Sequence, residues 1–225
     1  MFGLDMTYYF FLIPGMVLAG IAAMLTKSTF KKYSKQAAST GLTGAQAAQR
    51  LLDHEGIRDV SIEAVRGFLS DHYDPTSKTL RLSPEVYGAR SMSAIGVACH
   101  EVGHAIQHAR SYAPLALRSA LVPAANIGNK LSMFFLMGGV FLGMTGLIKV
   151  GVILFSAAVA FSIITLPVEW DASARAKRLM VTSSIVAPQE LTYASRVLNA
   201  AFLTYVAAAL TAILQLLYFI LRARE

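Results

Sequence analysis

The sequence predicts a mainly α-helical integral membrane protein with about four transmembrane helices and a small α+β part in the cytoplasm. Three observations carry this. Hydrophobic residues make up 55% of the 225, above the usual share of soluble domains. Apolar runs of spanning length recur, separated by segments that hold the charge. Between the first and second runs lies a stretch whose spacing alternates between helical and strand periods.

The net charge is +7. In a membrane chain such an excess reports loops retained in the cytoplasm, so the basic balance gives no reason to expect nucleic acid as a partner. The single cysteine, Cys99, excludes an internal disulfide.

The first apolar run, residues 8–25, is an uncleaved anchor. No basic region precedes it, and Lys27, Lys31, Lys32 and Lys35 follow it, which sets the N-terminus outside and the next loop inside. The cytoplasmic region, residues 40–130, opens with a helix over Ala45 to His54, capped by Thr43 and ended by Gly56. Val60 to Val65 alternates as a strand. Residues 69–82 read as a hairpin turning at Asp74-Pro75. A short helical turn over Ser83 to Tyr87 leads to a longer helix, opened by Ser91 or Ser93 and running to about Arg110. Leu115 to Lys130 is mildly amphipathic and suits the membrane surface. The apolar stretch from Met133 to Leu166 is too long for one span. It divides at Gly146 and Lys149 into spans 133–147 and 150–166. Pro167 then starts a new helix in the region 167–196. The last run, residues 198–221, is a fourth span or a re-entrant helix. Full crossing would leave Arg222 and Arg224 outside, against the positive-inside rule.

The helix after Ser91 carries His100-Glu101-Val102-Gly103-His104. Histidines four apart share a helix face and can offer two imidazoles to one metal ion, and a glutamate on the flank of that face can take a proton from water. The surrounding residues are apolar, and two histidines and a glutamate are costly to bury there without partners. The small α+β part is therefore zincin-like. Cys99 lies off the ligand face and reads as core packing. A hydrolytic zinc needs a third protein ligand. His108 continues the spacing but lies about 12 Å of helical rise from His100, too far for one ion. Gln107 also occupies the place where the extended motif has glycine. Glu169 is the best third ligand, because it follows directly on the membrane hairpin and a carboxylate beside an apolar span otherwise serves only as a helix cap. Asp171 points away from that face. Ser173 is on it, one turn on, and can bond a ligand histidine, with His108 a weaker candidate for such support. His72, Tyr193 and Arg196 are candidates for stabilising an oxyanion. The hairpin strand beside the motif helix is a candidate edge for aligning a peptide.

Three segments together carry a family resemblance: His100 to His108, Asp71-His72-Tyr73-Asp74-Pro75, and Pro167-Val168-Glu169-Trp170-Asp171-Ala172-Ser173. With these, nearly the whole chain resembles the YugP-type neutral zinc metallopeptidases of bacteria. The order of motif helix, two spans and glutamate is also similar to the HtpX-like and CAAX-prenyl membrane proteases. The resemblance implies a single metallopeptidase domain over residues 1–225 in the bacterial plasma membrane. It implies a gluzincin site facing the cytoplasm that holds Zn²⁺ and cleaves protein or peptide substrates. Those relatives carry an aspartate four residues after the ligand glutamate. Ser173 stands there in this chain. A non-catalytic membrane scaffold with a structural zinc is the alternative, and Glu101 argues against it, because binding alone needs no base. Nothing in the sequence selects an oligomeric state.

Overall fold

The computed structural model describes residues 6–224. It is mainly helical. In chain order the elements are α1 (Met6–Tyr33), α2 (Gly44–His54), β1 (Ser61–Ala64), β2 (His72–Asp74), β3 (Thr79–Leu82), α3 (Pro84–Tyr87), α4 (Met92–Ala109), α5 (Ala113–Leu142), α6 (Thr145–Thr182) and α7 (Leu191–Arg222). Among the described residues three helices, α1, α6 and α7, are long and apolar enough to cross a membrane. The chain divides into two compact units. One comprises the described parts of Met1–Ala23, Ala116–Pro167 and Leu203–Glu225, and the other Met24–Leu115 and Val168–Phe202.

The second unit is built around α4. Ser91 caps this helix by accepting a hydrogen bond from the Ala94 N–H at 3.2 Å, and Ser111, in the left-handed region at φ 51°, closes it. Leu51 and Leu52 of α2, Leu80 and Leu82 of β3, and Met92, Ile95 and Ile106 of α4 are wholly buried together with Met180 and Ile185. The α2 start is a reciprocal capping box, with the Gln46 N–H donating to Thr43 Oγ1 at 3.2 Å and the Thr43 N–H to Gln46 Oε1 at 2.9 Å.

The sheet order is β1-β3-β2, with β1 parallel and β2 antiparallel to β3, so β2 is an edge strand. Asp74 sets the hairpin by accepting from the Thr76 N–H at 2.9 Å and from Arg81 Nη1 at 2.9 Å. These bonds, with one from Ser77, hold its carboxyl well below the usual carboxylate range. Asp71 accepts from the Ser83 N–H at 2.7 Å and hydroxyl at 3.0 Å. Its burial nevertheless raises its pKa.

In the first unit, Leu136 and Val140 of α5, Ile148, Phe155 and Val159 of α6, and Tyr218 and Phe219 of α7 form the core. Here the structure corrects three expectations. The α5–α6 turn falls at Gly143-Met144, not at Gly146 and Lys149. Gly143 takes the left-handed conformation, φ 66°, and the Met144 N–H bonds back to the Gly139 carbonyl at 2.8 Å; Gly146 simply continues α6. Residues 115–130 form no separate surface helix, being the first half of the unbroken α5. Pro167 starts no helix either, because α6 runs through it. A proline forfeits one backbone bond, and the turns on either side retain theirs.

Candidate metal centre

His100 and His104 lie one turn apart on the buried face of α4, and Glu169 lies on α6. The two helices meet at Gly103. A Cβ at this position would fall 2.5 Å from the Ala172 carbonyl oxygen, so only glycine permits the approach. Glu169 Oε2 is 3.2 Å from His100 Nε2 and 3.5 Å from His104 Nε2. One ligand atom from each of the three residues lies within 4.8 Å of the others.

These distances suit zinc. Bonds of about 2.1 Å in a tetrahedron separate neighbouring ligand atoms by about 3.4 Å. The electrostatics point the same way. Burial alone would push the His104 imidazolium down, but the facing Glu169 carboxylate holds it above the ordinary histidine value. The space between the three groups therefore favours positive charge.

Both histidines are braced through the nitrogen that faces away from Glu169. His100 Nδ1 is 3.1 Å from Ser173 Oγ, and His104 Nδ1 is 3.0 Å from Gln107 Oε1. The Gln107 oxygen is an acceptor, which puts a proton on His104 Nδ1 and leaves Nε2 for a metal, while the Ser173 hydroxyl, able to donate or accept, orients the His100 ring. Gln107 is wholly buried and its Nε2 donates to the Val168 carbonyl and to Asp171 Oδ2, each at 2.8 Å. Arg175 Nε in turn donates to Asp171 at 2.6 Å. Gln107 and Asp171 are the supporting residues that sequence reasoning missed. The available signal was a lone glutamine on the apolar face of α4, three residues after a ligand candidate. Asp171 does turn from the face of α6 that bears Glu169, but that direction brings it to Gln107.

Glu101 is buried, with 8% of its surface exposed, and its Oε2 accepts the Tyr73 backbone N–H of edge strand β2 at 3.1 Å. The remaining candidates go elsewhere. His108 Nδ1 pairs with the Tyr73 hydroxyl at 2.8 Å and braces neither ligand, because it lies a turn beyond them. The Tyr73 phenol is pushed up to about 12 by burial. His72 Nδ1 lies 2.8 Å from the Ser70 carbonyl, beside an exposed turn. Tyr193 stacks on Tyr33, and Arg196 donates to the Tyr33 hydroxyl at 3.0 Å, so these two close a separate aromatic cluster. Cys99 is fully buried, which pushes its thiol far up and keeps it inert.

Three helices of spanning length and a His-His-Glu cluster fit one class, a membrane-associated zinc metallopeptidase. A family model described as "Putative neutral zinc metallopeptidase" matches residues 8–224, and the chain belongs to that family. It is 49% identical over 216 residues, 96% of this chain and 96% of the relative, to the "Putative membrane protease YugP" of Bacillus subtilis (strain 168). No solved structure matches. Membership makes Zn²⁺ the cofactor, and the cluster fits it.

Proposed function

We propose that this chain is a gluzincin-type membrane endopeptidase that hydrolyses peptide bonds of membrane or membrane-proximal proteins. The convergence of His100 Nε2, His104 Nε2 and Glu169 Oε2 carries the reading. These three would hold the zinc. When bound, zinc polarises the scissile carbonyl and makes water a nucleophile at neutral pH.

The chain's own residues do the rest. Gln107 fixes the tautomer of His104, and Ser173 orients the His100 ring. Glu101, steadied by the Tyr73 N–H, accepts the proton of the attacking water and returns it to the leaving amine. Strand β2 lies at the sheet edge, and its Tyr73 N–H is turned off the ladder toward Glu101. A substrate pairing along that edge in extended form would bring its peptide bond to the base.

Lys27, Lys31 and Lys32 at the C-terminal end of α1, with Lys35 just beyond it, support an outside N-terminus and a cytoplasmic motif helix. The α5–α6 hairpin and an unbroken α7 support a reading with four crossings of the bacterial plasma membrane. Charge after the first span usually outweighs charge at the last, so Arg222 and Arg224 are tolerated outside. The decisive experiment is Glu101→Gln in zinc-loaded, reconstituted protein. Turnover of a membrane-protein substrate should fall by about 10²–10⁴-fold while zinc content stays unchanged. Undiminished cleavage would remove Glu101 as the base.

A further inference from the structure

The membrane unit contains a recess that the peptidase reading does not use. It has a volume of about 430 Å³ and draws its lining from α1, α5, α6 and α7. Polar side chains face it: Asn126 and Asn129 of α5, Ser162 of α6, and Thr211 and Gln215 of α7. Two of these are occupied within the chain. Ser162 Oγ donates to the Ala158 carbonyl at 3.0 Å, and Thr211 Oγ1 is within 2.7 Å of the Ala207 carbonyl and 3.1 Å of the Gly15 carbonyl. The carboxamides of Asn126, Asn129 and Gln215 make no hydrogen bond among the described residues.

Asn126 and Asn129 lie three residues apart, on one helix face. Both belong to α5, which is not among the three helices that qualify as spans. Both asparagines of α5 line the recess. Asn126 and Asn129 are exposed and Gln215 is half-buried, so all three amides are open to a ligand, and an amide left without a partner in hydrocarbon is costly.

The lining selects the occupant. No Asp, Glu, Lys, Arg or His contributes to it, so it suits neither a phosphate nor an ammonium group. A carboxamide offers donors and an acceptor, as a peptide group does. A helical segment in a membrane satisfies its own backbone; only an unwound segment shows peptide groups that need partners. A volume of this size is within the range of ordinary ligand pockets.

We propose that the recess binds an unwound, uncharged stretch of a membrane-spanning polypeptide, with Asn126, Asn129 and Gln215 hydrogen-bonding its exposed peptide groups. The proposal rests on the reading of the chain as a protease of membrane proteins, but its test needs no turnover.

The full chain carrying Glu101→Gln, zinc-loaded, is reconstituted in phosphatidylcholine vesicles. Two synthetic Leu/Ala transmembrane peptides are titrated by energy transfer, one uninterrupted and one with a central Gly-Pro-Gly break. The broken peptide should bind about tenfold tighter, the size expected of a few hydrogen bonds in a membrane. Combining Asn126→Leu, Asn129→Leu and Gln215→Leu should erase that preference while the protein still holds zinc. If the triple variant fails to hold zinc, Asn129→Leu and Gln215→Leu are read singly, and each should reduce the preference. Equal binding of the two peptides, or a preference that survives the leucine changes, overturns the proposal. So does a shift from dimer to monomer with peptide binding unchanged, which would make the recess a contact between copies. Failure of the unmodified enzyme to cut any membrane protein would sink the protease reading and leave this binding result intact.

Discussion

In the unit that carries the candidate metal site, the polar side chains around the two histidines are bonded in series. Gln107, wholly enclosed, joins His104 to Asp171 and Asp171 to Arg175, while Ser173 braces His100. In the membrane unit the close approaches are made by glycines. A Cβ at Gly128 would fall 2.7 Å from the Leu154 carbonyl oxygen, and one at Gly151 would fall 2.6 Å from Leu136 Cγ. The difference follows from what each unit must fix. A metal site needs set tautomers and set ring orientations, which only directional bonds supply. Helices in lipid gain mainly from close packing, which small residues allow. Close-packing glycines are not confined to the membrane unit: a Cβ at Gly44 would collide with the Val86 carbonyl oxygen, and Gly103 is a glycine of this kind placed inside the candidate metal site.

The largest break in this comparison should come from Gln107→Leu. The shape is nearly kept, but His104 Nδ1 loses its acceptor and Asp171 a donor. Zinc affinity, measured by chelator competition, should fall roughly 10–100-fold. An unchanged affinity would mean that the glutamine only fills space.

A matched pair of glycine changes sharpens the contrast. Gly103→Ala and Gly128→Ala each drive a methyl group against a backbone carbonyl, and each should cost about 1–3 kcal/mol of stability. Gly103→Ala should also weaken zinc binding, because it forces α4 from α6, whereas Gly128→Ala should leave zinc binding alone. Thermal unfolding and zinc titration of both proteins check this.

The smallest effect concerns acid. The Asp74 carboxyl is held low by Arg81, Ser77 and the turn amides. A lowered folded pKa means that the stabilisation is fully present above the unfolded value of about 4. It is lost only as pH falls well below that, through the folded value. Asp74→Asn should therefore flatten the acid limb of the hairpin's stability, read by hydrogen exchange of the β2–β3 amides, and leave neutral-pH zinc binding unaffected.

The local chemistry was largely legible in the sequence. Asp74-Pro75 marks the hairpin, Ser91 or Ser93 the start of α4, and the four-residue spacing the common face of His100 and His104, because each depends on residues close in the chain. What escaped depended on partners far apart. Gln107 looked like a departure from a longer motif until α6 supplied Val168 and Asp171. Ser173 could be set on the face of Glu169 by counting residues, whereas Asp171 needed the position of α4. The turn was misplaced because several glycines punctuate the apolar stretch, and only Gly143 takes a positive φ there. Pro167 read as a helix start because the proline rule is local, while the continuity of α6 comes from bonded turns on both sides.

Whether His100, His104 and Glu169 form one zinc site is read from zinc content. Detergent-purified full chain, metal-reconstituted, is measured beside Glu169→Ala and the near-isosteric Glu169→Gln, each checked for folding. The account predicts about one zinc per chain in the parent and strongly weakened binding in both variants. Zinc retained at parental affinity by folded Glu169→Ala, or no zinc in the parent after reconstitution, would contradict it.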